Sequence, residues 1–176
     1  AKDGNNYYVF ITNHLDGTIT RLFFGNSLIN TPIATNLGDF GVVLGYQLEG
    51  IQIKKDTISG NWYGLVTSHD YLYRLNFGNS LANIPTAVNL GNINNLFHFA
   101  HTLYTFYEGG NWYSFVGNFD SSTITRLNFG NSLANTPTAI NLGNIGSLNI
   151  PAGFFPVKAN GVWSLFVVNQ NNSTLS

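Results

Sequence analysis

Cysteine and methionine are both absent from the 176-residue chain. Without cysteine there is no disulfide scaffold, no thiolate zinc site and no cysteine nucleophile. A chain of this length ordinarily carries a few methionines, and its opening, Ala1-Lys2-Asp3-Gly4, is neither an initiator nor a signal peptide. It therefore reads as a processed protein or an excised piece of a longer one. Charge is scarce too: 9% of residues are Asp, Glu, Lys or Arg, against roughly 25% in an ordinary globular domain. Seven basic residues against eight acidic ones leave a net charge of −1, so no basic stripe exists to follow a phosphate backbone or an anionic membrane. Nucleic acid is not an expected partner. Nor is membrane insertion, because no apolar run approaches the ~20 residues of a spanning helix. What is abundant is apolar: 44% of residues are hydrophobic and 15% aromatic, more than a disordered chain would leave in water.

Self-similarity organises the rest, and it has to be sought first because it decides the fold. Arg21-Leu22-Phe23-Phe24-Gly25-Asn26-Ser27-Leu28 returns as Arg74-Leu75-Asn76-Phe77-Gly78-Asn79-Ser80-Leu81 and again as Arg126-Leu127-Asn128-Phe129-Gly130-Asn131-Ser132-Leu133, at spacings of 53 and 52. Each copy continues through a proline (Pro32, Pro85, Pro137) to Asn-Leu-Gly, at Asn36, Asn89 and Asn141. A second marker precedes the arginine: Asn6-Tyr7-Tyr8, Asn61-Trp62-Tyr63, Asn111-Trp112-Tyr113 and, more weakly, Val162-Trp163-Ser164. Repeat units therefore fall at about 1–38, 39–91, 92–143 and 144–176, as one continuous domain.

The apolar runs are short, β-branched and aromatic, and Gly, Asn and Asp punctuate them, which is the pattern of strands and not of helices. In the best-preserved unit strand A is expected over 50–56, B over 62–68, C over 71–77 and a short D over 86–90. Ser59-Gly60-Asn61, Gly109-Gly110-Asn111 and Asn160-Gly161 supply the A-to-B turns. Strand D begins after a proline and is rich in Thr and Asn, as a blunted outer edge is. The runs are apolar at consecutive positions, so both faces of each sheet must be covered. Four antiparallel strands per roughly 50 residues, covered on both faces, define a β-propeller blade. The expectation is all-β: about three and a half blades, counted as three strands (B, C, D), four, four and three (A, B, C). Closed propellers have about four to eight blades, so the segment is expected to belong to a six- to eight-bladed ring or to complete its ring with another copy.

The strings Glu49-Gly50-Ile51-Gln52-Ile53, Gly60-Asn61-Trp62-Tyr63-Gly64-Leu65-Val66, Arg74 to Leu81 and Pro85 to Gly91 resemble the propeller repeat of large secreted Bacteroidota proteins. Those proteins are commonly labelled gliding-motility-associated and are exported by the type IX secretion system. More distantly the repeat is similar to NHL-repeat propellers. The resemblance spans essentially the whole chain and implies an extracellular or cell-surface location, with a sorting domain and other modules beyond this segment. It implies no particular activity.

In an A-B-C-D blade the B-to-C and D-to-A connections emerge on one face of the disc. That face carries His14, Asp16, His69, Asp70, Phe119 and Asp120, and the variable stretches 39–44, 92–98 and 144–151. With His98 and His101, which flank the start of the third strand A, these are the candidate binding residues. Imidazole and carboxylate also suit a metal site or an acid and base pair. Asp16, Asp70 and Asp120 recur in turns, however, where an Asp side chain commonly bonds its own backbone, so no metal or other cofactor is assigned. The repeated arginines could ring an acidic glycan, but the favoured reading has each fork satisfying carbonyls or an Asp of a neighbouring blade. Tyr7, Trp62, Trp112 and Trp163 sit at one repeat position and are read as packing between sheets, not as sugar platforms. No Ser-His-Asp set, phosphate-cradling loop or calcium loop is present. The function read from the sequence is a non-catalytic, secreted or surface propeller module that binds polysaccharide or protein. A propeller hydrolase or lyase with a channel-centred His/Asp or metal site is one alternative, and an architectural spacer in a large adhesin is the other.

Overall fold

The computed structural model describes residues 1–40 and 47–176. Among them, fifteen strands gather into four antiparallel sheets arranged radially as a propeller. The first blade holds β1 (Lys2–Asp3), β2 (Asn6–Asn13), β3 (Thr18–Gly25) and β4 (Ile33–Asn36), and the second β5 (Leu48–Lys55), β6 (Trp62–Ser68), β7 (Tyr71–Gly78) and β8 (Thr86–Gly91). The third holds β9 (Ala100–Glu108), β10 (Asn111–Asn118), β11 (Thr123–Gly130) and β12 (Thr138–Gly143), and the fourth β13 (Pro151–Ala159), β14 (Val162–Asn169) and β15 (Thr174–Leu175). Every blade is a meander in chain order. One 3-10 turn, Ile93–Asn95, is the only helical piece among the described residues.

Strand positions follow the sequence reading closely, with one correction. The first unit was expected to lack strand A, yet Lys2 and Asp3 pair with Tyr7 and Asn6. Two residues are too few to show an apolar pattern, so nothing marked them as a strand.

The A strands lie innermost, where β5 packs on β9 and β9 on β13, and the D strands β4, β8 and β12 form the outer edges. Burial explains the unbroken apolar runs. In β6 all seven residues are buried: Trp62 and Val66 pack with Tyr8 and Phe10 of the first blade, whereas Tyr63 and Leu65 pack with Leu103, Trp112 and Val116 of the third. A strand roofed on both sides has no reason to alternate. Close approach of the A strands requires glycine at one point. A Cβ on Gly50 would stand 2.6 Å from Leu103 Cδ2 and 3.2 Å from the His101 carbonyl, nearer than van der Waals contact permits.

The repeated polar residues lock each blade to the next. Arg21 Nη1 donates to the carbonyls of Leu81, Ala82 and Asn83 at 2.9, 2.7 and 3.0 Å, and Arg74 Nη1 does the same to Leu133, Ala134 and Asn135 one joint further on. The packing reading of the arginines holds at both joints. An acid completes each lock. Asp3 accepts hydrogen bonds from the Ser80 hydroxyl and the Leu81 N–H, and Asp56, 1% exposed, accepts from Ser132 and Leu133. The gripped turn is held in shape from within: Gly78 and Gly130 adopt φ of +65° and +67°, and Asn83 and Asn135 each donate to the carbonyl of the preceding motif phenylalanine at 2.9 Å. In the Asn-Leu-Gly strings the Asn carbonyl oxygen accepts from the Gly N–H two residues on, as at Asn89 and Gly91 (2.7 Å).

Burial raises the cost of charge on Asp3 and Asp56. The neighbouring N–H and hydroxyl donors outweigh it and hold both carboxyls below the ordinary aspartate value. Of the aromatics read as packing, Trp62 and Trp112 are buried, while Trp163 in the last blade is 44% exposed.

Candidate functional site

One face of the disc gathers side chains from three successive blades. The turn after β2 brings His14, the start of β5 brings Glu49, the turn after β6 brings His69 and Asp70, and the third blade contributes Phe99, His101 and Phe119. Glu49 is the hub: its carboxylate lies 3.0 Å from His14 Nδ1 and 3.4 Å from His101 Nε2. It is anchored through its own backbone, where the Glu49 carbonyl accepts from the Thr12 hydroxyl at 2.7 Å. The carboxylate is mostly sheltered, with 11% of its side chain exposed, so its oxygens are aimed by protein and not by water.

Beside this polar chain stands an aromatic group. Phe99 packs against Phe119 with ring centres 5.3 Å apart and against His69 at 5.0 Å in a T-shaped contact. His101 lies 5.5 Å from Phe119 and 6.3 Å from Phe99. Offset and edge contacts at these separations are attractive. His101 therefore joins the two groups, with its Nε2 facing Glu49 and its ring flat against Phe99, while its Nδ1 is buried without a hydrogen-bond partner.

The backbone beneath is strained. His69 and Phe99 take φ of +47° and +54°, a region that costs a bulky L-residue roughly 1–3 kcal/mol. Hydrogen bonds overdetermine the arrangement: the Ala100 N–H donates to the His69 carbonyl, the Phe119 N–H to the Phe99 carbonyl, and the Phe99 N–H to Asp70 Oδ1 at 3.0 Å. Asp70 also faces His69 Nδ1 at 3.1 Å. The turn reading of Asp70 is thereby corrected. Its carboxylate ties two blades together and does not cap its own turn. Asp16 and Asp120 make no side-chain hydrogen bond among the described residues.

Four of the eight residues chosen from sequence, His14, His69, His101 and Phe119, enter the cluster with Asp70 as its support. Asp16, His98 and Asp120 lie on the same face but outside these contacts. His98 is exposed and enters through its backbone, its N–H donating to Asn118 Oδ1 at 3.2 Å and its carbonyl accepting from the Asp120 N–H. Sequence reasoning missed Glu49 and Phe99. Glu49 has no counterpart in the other units, and that irregularity was the available signal. The variable stretch 39–44 lies partly outside the described residues. No three His, Asp or Glu side chains among the described residues are grouped so that they could hold a metal ion.

Fold and site together define a β-propeller module with an irregular aromatic and histidine face on a regular scaffold. No family model matches the chain, and no curated protein matches it.

Proposed function

We propose that the chain is a non-catalytic recognition module whose His14–Glu49–His101 and Phe99–Phe119 face binds a neutral polysaccharide. The observation that carries the reading is the junction at His101, where an oriented carboxylate and imidazoles adjoin an aromatic patch. Sugars present apolar C–H faces and hydroxyl rims, and a platform of rings edged by fixed hydrogen-bonding groups answers both. The low charge favours such contacts over electrostatic capture.

The resemblance to secreted Bacteroidota propellers supports a place outside the cell or on its surface. Exposed apolar residues on the first and last sheets, Val9 and Ile11 on β2 and Phe155 and Phe166 on β13 and β14, support membership of a larger ring of six to eight blades. The test is a glycan array run beside a pull-down from surface proteins, using the wild-type chain and the Phe99→Ala and His101→Ala variants. Glycan binding lost in both variants is the expected result. Silence on the array with capture of a protein would replace the sugar by a protein ligand, and silence in both would leave a spacer.

A further inference from the structure

The first blade breaks the repeat on the side it turns toward the second. The ladders set three side chains in a row across each sheet: Tyr63, Asn76 and Thr86 in the second blade, and Tyr113, Asn128 and Thr138 in the third. In the first blade the same row is Tyr8, Phe23 and Ile33. The asparagines have a local use, because Asn76 and Asn128 accept from the N–H groups of Gly78 and Gly130 at 2.9 and 2.8 Å and so hold the turn that follows. Phe23 offers Gly25 no such acceptor. The exchange gives up a turn bond and leaves apolar surface: Phe23 covers Tyr8 with ring centres 5.3 Å apart, and Ile33 beside it is 66% exposed. The next row is exchanged in the opposite sense. Thr35 lies across from Arg21, where the other blades set Val88 against Arg74 and Ile140 against Arg126.

These residues, with Ala82 of the second blade, line a groove of about 190 Å³. Its walls are β2, β3 and β4 on one side and the turn after β7 on the other, the same elements that meet one joint further on as β6, β7, β8 and the turn after β11. Arg21 brings a charge to it. Its Nη1 is held by the three turn carbonyls, whereas Nε and Nη2 make no hydrogen bond and no carboxylate lies within ion-pair distance among the described residues. We propose that the groove binds a small organic anion, a carboxylate with an apolar body. The body lies on Tyr8, Phe23 and Ile33, and the carboxylate meets the open edge of the Arg21 guanidinium and the Thr35 hydroxyl. A guanidinium fixed through one nitrogen is already oriented, so pairing its other N–H groups with an oxyanion needs little further ordering. An apolar floor with a few placed polar groups at one end is the form of a small-ligand site. The groove lies beside the C-to-D turns, on the side of the disc away from the histidines, and its ligand is independent of theirs.

The test titrates octanoate into the full chain by calorimetry, with amide chemical shifts to locate it. Expected are saturable one-to-one binding, shifts at Phe23, Ile33 and Ala82, and affinity about tenfold weaker for octanamide, which keeps the apolar body and loses the charge. Phe23→Asn combined with Ile33→Thr installs the residues that the second and third blades hold at these positions, so the chain should fold, with its thermal midpoint as the check, and should no longer bind. Asn76→Phe combined with Thr86→Ile should raise the stoichiometry to two, because Arg74 grips its turn as Arg21 does. Absence of saturable binding, equal affinity for octanamide, or unchanged binding by the Phe23→Asn, Ile33→Thr chain overturns the proposal. So does a folded Asn76→Phe, Thr86→Ile chain that still takes one equivalent, or binding that shifts only residues of the histidine face.

Discussion

The second and fourth blades place Trp62 and Val66, and Trp163 and Val167, at matching positions of strand B, and the two strands live in different surroundings. Trp62-Tyr63-Gly64-Leu65-Val66 is buried throughout, whereas Trp163 and Phe166 in the matching strand are 44% and 40% exposed. The same residue, Trp62 or Trp163, is buried in one blade and half exposed in the other, so in this architecture a strand's dryness is conferred by the sheets beside it. The ladders hold the strands of each blade to one another, and the apolar side chains are buried at the joints between blades. Hydrophobic free energy follows the area removed from water, and here that area is shared between neighbours.

The largest expected difference between the two settings is a cavity. Leu75→Ala empties a fully buried position and should cost about 3 kcal/mol, while Phe166→Ala should cost less than about 1 kcal/mol; urea denaturation of both variants measures this. Equal losses would break the comparison. Next comes overpacking at the inner ring. Gly50→Val drives side-chain atoms into Leu103 and the His101 carbonyl and should destabilise by roughly 1–3 kcal/mol, with the thermal midpoint as readout.

The locks themselves come third. Asp56→Ala strands the Ser132 hydroxyl and the Leu133 N–H in a buried joint and should cost about 1–3 kcal/mol, whereas Asp16→Ala on the surface should stay within about 0.5 kcal/mol. Acid titration sharpens the same point with a smaller effect. The Asp3 and Asp56 carboxyls are held below the ordinary value in the folded chain, so the stability they contribute is complete above the unfolded value of about 3.9. It is lost as pH falls through the lower folded values. Denaturation midpoints followed from pH 6 downward should therefore drop less steeply for Asp3→Asn combined with Asp56→Asn than for the unaltered chain.

What could be read from sequence was whatever repeats. Strands B and C announced themselves because three copies of one apolar string cannot be accidental, and Arg21 and Arg74 were correctly placed against a neighbouring blade because one cation per unit, at one register, suits a joint. The face was located from topology alone, since meander blades send alternate turns to the same side. Its wiring was not legible. Glu49 meets His14 and His101 across distances of 35 and 52 residues in the chain, and only the convergence of three blades brings them together. Phe99 was hidden for another reason: its position depends on a positive φ that a phenylalanine gives no sign of adopting. Asp70 illustrates the opposite error, in which a familiar turn residue was credited with a local role and serves a distant backbone N–H.

The arginine fork has a consequence for how such a chain can grow. It takes hold of main-chain oxygens, which every residue supplies alike, and the middle residue of each gripped turn, Ala82 or Ala134, offers the arginine its carbonyl and no side-chain group. A fastening that ignores side-chain identity lets whole units be copied, lost or reordered without a matching change in the neighbour. Variation is then free to accumulate on the opposite rim, where the histidines are.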